Sequence, residues 1–230
     1  MNNTHLNISG YRFVALDQLP ELQSHWLLQC QQLGIKGTIL LSLEGININL
    51  SGTFDAILNF KQLLNQDARL ADMRFHQYET AQHSYQRLKV KIKKEIITFR
   101  QSLANTERRA SSLAPAELKR WLDESRDFTL LDTRNDFEIE FGTFNEAHNL
   151  HINNFGELPK AINELDPEKP VVMFCTGGIR CEKAALYMQD NGFKEVYQLD
   201  GGILGYFNTV GGEHYQGGCF VFDEREVVTP

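Results

Sequence analysis

No apolar run in this sequence is long enough to cross a bilayer, and no two cysteines form a CxxC pair. Positive charge is also in short supply, with 23 Lys and Arg against 30 Asp and Glu and a net charge of −7 at pH 7. The longest apolar stretch, Thr38-Ile-Leu-Leu-Ser-Leu43, is far short of a membrane span, so no membrane partner is expected. Residues 1–10 carry neither a basic start nor an apolar segment, which argues against a signal peptide and makes the cytoplasm the expected compartment. The four cysteines, Cys30, Cys175, Cys181 and Cys219, lack zinc-finger spacing to one another or to histidine, so no metal site is expected. Free thiols in a reducing compartment fit this density better than a disulfide framework. No flavin, nicotinamide or iron motif is recognisable, and therefore no cofactor. There is no internal repeat and no low-complexity segment, and nothing indicates an oligomeric state.

What is present suits one large domain or two small ones: 230 residues, 42% of them hydrophobic. The charge is uneven. Residues 1–100 hold 11 Lys and Arg against 8 Asp and Glu, a balance of +3, whereas residues 101–230 stand at −10. If a polyanion is a partner, the first part is the one that meets it.

Residues 1–100 alternate strand and helix signals. Strands are expected at Tyr11–Leu16, Thr38–Leu43, Ile46–Leu50, Met73–Tyr78, Arg87–Ile92 and Glu95–Phe99. One helix runs from Pro20 to about Leu33, stopped by Gly34, and a second is capped by Thr53 and runs to about Leu64. The order βαββαβ plus an extra strand predicts a ferredoxin-like α+β domain over 1–100. Residues 101–114 contain no aromatic residue and no sustained period, and are expected to be a linker. From Pro115 a helix, a buried-type strand Phe128–Asp132, a helix around Asn153–Leu165, a strand Val171–Phe174, a helix Arg180–Asn191 and a strand Glu195–Leu199 alternate. That alternation predicts an α/β domain over 115–212, a parallel sheet flanked by helices, followed by a C-terminal segment over 213–230.

The chemistry concentrates in Val171-Val-Met-Phe-Cys175-Thr176-Gly177-Gly178-Ile179-Arg180-Cys181. Cys175 ends a parallel strand, at the sheet edge where α/β folds place their sites. The two glycines let backbone N–H groups turn inward as an anion nest, and the following helix points its positive end at the same place. All three features favour a thiolate, so Cys175 is expected to be nucleophilic, with Arg180 closing the cradle and pairing an anionic ligand in fork geometry. A thiol merely packed at a strand end is the competing reading. Only four residues separate Cys175 from Arg180. Cysteine–arginine phosphatases need a longer loop to wrap a tetrahedral phosphate, whereas this one suits a single extra sulfur or a similarly small group. Cys181 is either a packed thiol or a resolving one. Arg134 is either an ion-pair partner of a nearby carboxylate or an accessory substrate contact. Cys30 and Cys219 are expected to be non-catalytic.

This Cys-x-x-Gly-x-Arg loop resembles that of rhodaneses, as do Asp132-Thr-Arg134 and the pair Gly201-Gly202, while Phe141-Gly-Thr-Phe144 departs from the usual Gly-His-Ile. The likeness goes further. Phe174–Ala184, Gly192–Ile203, Glu44-Gly-Ile-Asn47, Leu88–Ile97 and Phe220-Val-Phe-Asp-Glu-Arg225 together resemble the bacterial TrhO/YceA family of rhodanese-domain tRNA uridine hydroxylases. Many of its members continue past this last segment into a cysteine-rich tail, whereas this sequence ends at Pro230. The resemblance implies oxygen-dependent conversion of wobble uridine to 5-hydroxyuridine, with molecular oxygen as co-substrate. It also implies Cys175 as the active-site cysteine, carried as a persulfide in some descriptions, and the tRNA anticodon arm as partner.

The residues allow for that partner. In Arg87-Leu-Lys89-Val-Lys91-Ile-Lys93, strand period puts the four cations on one face and Leu88, Val90 and Ile92 on the core face, with Lys94 and Arg100 extending the stripe. Such a row can track a phosphate backbone, and Phe75, His76, Tyr78 or Phe99 can stack a splayed base. A solvated sheet face is the alternative. In this scheme the first domain holds the anticodon arm and the Cys175 loop receives a flipped uridine. The competing functions are a sulfurtransferase carrying sulfane sulfur on Cys175, loaded from thiosulfate or by a persulfide donor protein, and a non-catalytic RNA-binding adaptor.

Overall fold

The computed structural model describes residues 4–101 and 108–230, which divide into two compact units, one ending at Ile97 and one beginning at Thr98. In the first, the order is β1 (His5–Phe13), α1 (Leu19–Gln32), β2 (Lys36–Ser42), β3 (Gly45–Thr53), α2 (Phe54–Leu64), β4 (His76–Thr80) and β5 (Leu88–Ile92). The sheet runs β4-β1-β3-β2-β5. Its first four strands pair antiparallel in the ferredoxin-like order, and β5 adds in parallel to β2. Alternation builds the core: Ile39 and Leu41 from β2 and Ile46, Ile48 and Leu50 from β3 meet Trp26 of α1 and Phe60 of α2. The helices start and stop for local reasons. The Thr53 side chain accepts from Ala56 N–H at 3.3 Å, and α1 gives way to Gly34 in a left-handed turn (φ +66°).

The strand expected at Met73–Tyr78 lies at His76–Thr80, and two others differ more. The first begins at His5 rather than Tyr11 and ends at Phe13. Its polar start, Asn7 included, conceals a strand whose Asn7 amide donates to Thr80 Oγ1 at 2.8 Å across the ladder. The second, Glu95–Phe99, does not form. Side chains satisfy that backbone instead: Ile96 N–H donates to Glu44 Oε1 at 2.7 Å, and Asn47 Nδ2 donates to Ile96 C=O at 3.2 Å. The Glu44-Gly-Ile-Asn47 segment is therefore a clamp on the chain leaving β5.

The second unit contains β6 (Ser111–Leu113), α3 (Pro115–Asp123), β7 (Thr129–Asp132), α4 (Asp136–Ile139), β8 (Gly142–Phe144), β9 (His148–Asn149), a short α5 (Leu158–Ala161) between two 3-10 turns, and β10 (Val171–Phe174). There follow α6 (Ile179–Asp190), β11 (Val196–Leu199), α7 (Gly202–Thr209), β12 (Tyr215–Gly217), β13 (Cys219–Phe220) and β14 (Val227–Val228). Five parallel strands form the sheet, in the order β6-β11-β10-β7-β9. Every residue of the central β10 is buried, as the unbroken Val-Val-Met-Phe run requires.

The expected linker over 101–114 is corrected here, because Ser111–Leu113 pairs with Tyr197–Leu199 as an edge strand. Only Leu113 of its three residues is buried, so no period marks it in the sequence; residues 102–107 lie outside the described residues. Within 213–230, Tyr215–Gly217 pairs antiparallel with Gly142–Phe144.

Candidate active site

Cys175 follows the last residue of β10 and is 1% exposed. The chain turns at once: Gly178 takes φ +98°, a conformation that favours glycine, and α6 starts at Ile179. The turn aims Gly178 N–H at Cys175 Sγ, 3.1 Å away, and the Arg180 backbone N–H joins it. From the other side α7 holds the loop by its carbonyls, with Ile203 N–H donating to Cys175 C=O at 2.9 Å and Leu204 N–H to Thr176 C=O at 3.1 Å. Gly202 makes that approach feasible, since a Cβ there would collide with Cys175 C=O, Thr176 C=O and Gly177 N. With its carbonyls turned out to α7, the loop turns its N–H groups in to the sulfur.

Burial alone would push the Cys175 thiol up. A hydrogen bond from Cys181, the Arg180 charge and the backbone N–H groups of Arg180 and Gly178 outweigh it and bring the thiol down to about 5. Cys181 moves the opposite way, raised by burial and by the adjacent Cys175. Its thiol also lies 3.5 Å from Thr133 Oγ1, so it is a packed residue in hydrogen-bond contact with the reactive one. Cys30 and Cys219 are pushed up to about 12 by burial, so neither is a thiolate at neutral pH.

Arg180 departs from expectation. Its fork is filled by Glu138, with Nη1 donating to Oε2 at 2.6 Å and Nη2 to Oε1 at 2.7 Å, both side chains buried. It is therefore not open to an incoming anion. A buried guanidinium left alone would be costly, and α4 supplies the carboxylate. Glu138 is a residue that the loop pattern does not point to. Asn135-x-x-Glu138 is the signal that finds it: a helix start whose Glu138 Oε2 accepts the Asn135 N–H at 3.1 Å. Arg134 pairs with Asp132 at 2.6 Å and donates to Gly142 C=O at 2.7 Å, and Thr143 Oγ1 donates to Asp132 Oδ2 at 2.8 Å. Asp132-Thr-Arg134 thus ties β7 to β8 and faces no open site. Thr143, at the place of the usual histidine, is part of that tie. Counting thiolate, both arginines, Asp132 and Glu138, the buried cluster carries one net negative charge.

In the first unit Arg87, Lys89, Lys91, Lys93 and Lys94 are all exposed, as is Arg100 just beyond it. Val90 is buried and Leu88 half-buried, but Ile92 is 39% exposed at the end of the edge strand, against expectation. The carbonyl of Lys94 accepts from Ser42 Oγ at 2.8 Å, which fixes the end of the row. The expected stacking residues do not join it. Phe99 is fully buried against Phe155, and Phe75, His76 and Tyr78 lie on or beside β4, at the opposite edge of the sheet from β5. Among the described residues no cluster of His, Cys, Asp and Glu could hold a metal, and no helix is long and apolar enough to cross a membrane.

Two family models match the two halves: a UPF0176 acylphosphatase-like domain over residues 5–96 and a rhodanese-like domain over 114–209. The tRNA uridine(34) hydroxylase of Cupriavidus necator is 49% identical, over 98% of this chain and 83% of its own. The relative of the same name from Thiobacillus denitrificans is 47% identical over 97% and 94%. This chain belongs to the tRNA uridine(34) hydroxylase family. Among solved structures, a rhodanese-related protein of Thermoplasma volcanium covers 44% of this chain and 93% of its own, at 25% identity and a TM-score of 0.38. The family relation takes in both units, the basic strand as well as the cysteine loop.

Proposed function

We propose that this protein hydroxylates uridine 34 of tRNA to 5-hydroxyuridine, with the Cys175 thiolate as the reacting group. The observation that carries this reading is a thiolate held by two backbone N–H groups and a neighbouring thiol, in a chain related over nearly its whole length to enzymes named for that reaction. A ring carbon inside a base stack is out of reach, and Cys175 is itself buried, so the uridine must leave its stack to meet the sulfur. Addition of the thiolate to C6 of uracil makes C5 electron-rich, the position that gains oxygen; loss of the C5 proton and departure of the thiolate restore the ring. Molecular oxygen is the co-substrate: one atom enters the base, and the other leaves as water with two electrons and two protons from a reductant. The exposed row Arg87, Lys89, Lys91 and Lys93 contributes phosphate contacts to the anticodon arm.

A second reading, sulfane-sulfur transfer, draws on the match of residues 114–209 to rhodanese-like domains and needs only Cys175, loaded from a persulfide donor protein. It leaves residues 5–96 without a part, and Glu138 already fills the hydrogen-bonding fork of the arginine that would bind thiosulfate.

The test is mass-spectrometric nucleoside analysis of tRNA from a deletion strain complemented with wild type or Cys175→Ala. Restoration of 5-hydroxyuridine by wild type alone is expected. Restoration by Cys175→Ala would overturn the role of the thiolate, and identical nucleosides in all strains would overturn the hydroxylase reading in favour of sulfur transfer.

A further inference from the structure

Four phenylalanines gather beside the Cys175 loop and take no part in the chemistry above. Phe137 belongs to α4, Phe141 leads into β8, Phe220 lies in β13 and Phe222 follows it. Phe220 is the hub, with ring centroids 5.3 Å from Phe137, 5.3 Å from Phe141 and 5.1 Å from Phe222. A core cluster would be covered, yet Phe137 and Phe141 are each 42% exposed and Phe222 is 66% exposed. Such a surface marks a contact site.

Its position ties it to the reaction. Thr176, next after Cys175, donates through Oγ1 to Phe220 C=O at 3.4 Å, and Phe137 immediately precedes the carboxylate that grips Arg180. The segment is also held in shape. Phe220 pairs with Val227 across β13 and β14, Val221 N–H donates to Glu226 C=O at 2.8 Å, and Arg225 closes the turn on Asp223 at 2.8 Å. This gives the Phe220-Val-Phe-Asp-Glu-Arg225 segment a purpose that the loop chemistry does not.

We propose that Phe137, Phe141, Phe220 and Phe222 form a stacking platform for the nucleobases that flank the target uridine in the anticodon loop. This rests on the hydroxylase reading, because it is that reaction which requires a uridine to be drawn from its stack to a buried sulfur. Its neighbours then lose a stacking partner, and aromatic faces at the rim of the loop replace it. The exposed apolar surface here is aromatic, which suits flat bases. Glu140 and Glu224, exposed and adjacent in sequence to Phe141 and close to Phe222, disfavour phosphate, so bases and not backbone meet this face.

The test uses the full chain and an RNA hairpin carrying the anticodon loop with uridine at position 34. In Phe222→Trp, the new indole fluorescence should be quenched saturably by the hairpin and not by a fully paired duplex of equal length. Phe222→Leu, which keeps apolar volume but loses the ring, should bind the hairpin about tenfold more weakly with an unchanged salt slope. Phe222→Tyr should bind as wild type does. In cells, Phe222→Leu should lower 5-hydroxyuridine, and Phe222→Tyr should not. No quench together with unchanged hairpin affinity in Phe222→Leu would overturn the platform. So would conversion of a dimer to a monomer by Phe222→Leu, which would make this a self-association face. Persistence of 5-hydroxyuridine in the deletion strain would instead count against the hydroxylase reading, while the quench still decides the platform.

Discussion

Arg180 and Glu138 face each other as a buried two-point ion pair, at 2.6 and 2.7 Å, directly beside the Cys175 thiolate. The arginine thus stabilises the sulfur through its charge while its hydrogen-bonding fork is spent on the protein itself. Removing one member of a buried pair leaves the other uncompensated, at a cost of about 3–5 kcal/mol. Glu138→Gln keeps one acceptor and is expected at the low end of that range in urea unfolding. Arg180→Gln should in addition raise the Cys175 pKa, read from thiolate ultraviolet absorbance. An Arg180→Gln protein with an unshifted thiol would show that the backbone N–H groups and Cys181 suffice.

The thiolate predicts a pH dependence of stability. Cys175 falls from an ordinary 9.0 to about 5 on folding, so between these values the unfolded chain binds more protons than the native one. The contribution is complete above pH 9.0 and is lost as pH falls through about 5. The stability difference between wild type and Cys175→Ser should therefore grow as pH rises across that window. Cys181→Ala, which removes a hydrogen bond to the sulfur, should raise the titration midpoint, and Cys181→Ser should restore part of the shift. A midpoint indifferent to residue 181 would place Cys181 among purely packed residues.

Two glycines make a controlled comparison. Gly202 and Gly192 both have positive φ, +60° and +94°, but a Cβ on Gly202 meets the backbone of Cys175, Thr176 and Gly177, whereas one on Gly192 meets open space. Gly192→Ala should cost about 1–3 kcal/mol from backbone strain and leave the thiol titration alone. Gly202→Ala should cost more and also raise the Cys175 pKa, because α7 can no longer grip the loop carbonyls.

The basic edge strand is testable through salt. Lys89→Gln and Lys91→Gln should each weaken tRNA binding for all sequences alike and reduce the slope of log affinity against log salt by about one, if each neutralises one phosphate. Unfolding by urea should change little, since both side chains are exposed. An unchanged slope would return β5 to an ordinary solvated face.

Much of this protein was legible in one dimension. Local signals are strong wherever one residue or one period decides the backbone. Thr53 caps α2, Gly34 ends α1, the Val171–Phe174 run is a fully buried strand, and Cys175-x-x-Gly-x-Arg180 sets a nest before a helix. The unread parts depend on partners distant in the chain. Ser111–Leu113 is a strand only because β11 lies beside it, and Glu95–Phe99 is not one because Glu44 and Asn47 take its backbone groups. Arg180 looked available until Glu138, 42 residues earlier, occupied it. Phe99 and the β4 aromatics looked like base-stacking residues until packing buried the first and sheet order carried the others to the edge away from β5. Local residue order suffices for the strand–loop–helix geometry that makes a thiolate, because backbone conformation and amide direction are short-range properties. Which charges are already paired, and that Phe137, Phe141, Phe220 and Phe222 meet at the surface, emerges in the folded chain alone, because both follow from contacts between segments far apart along it.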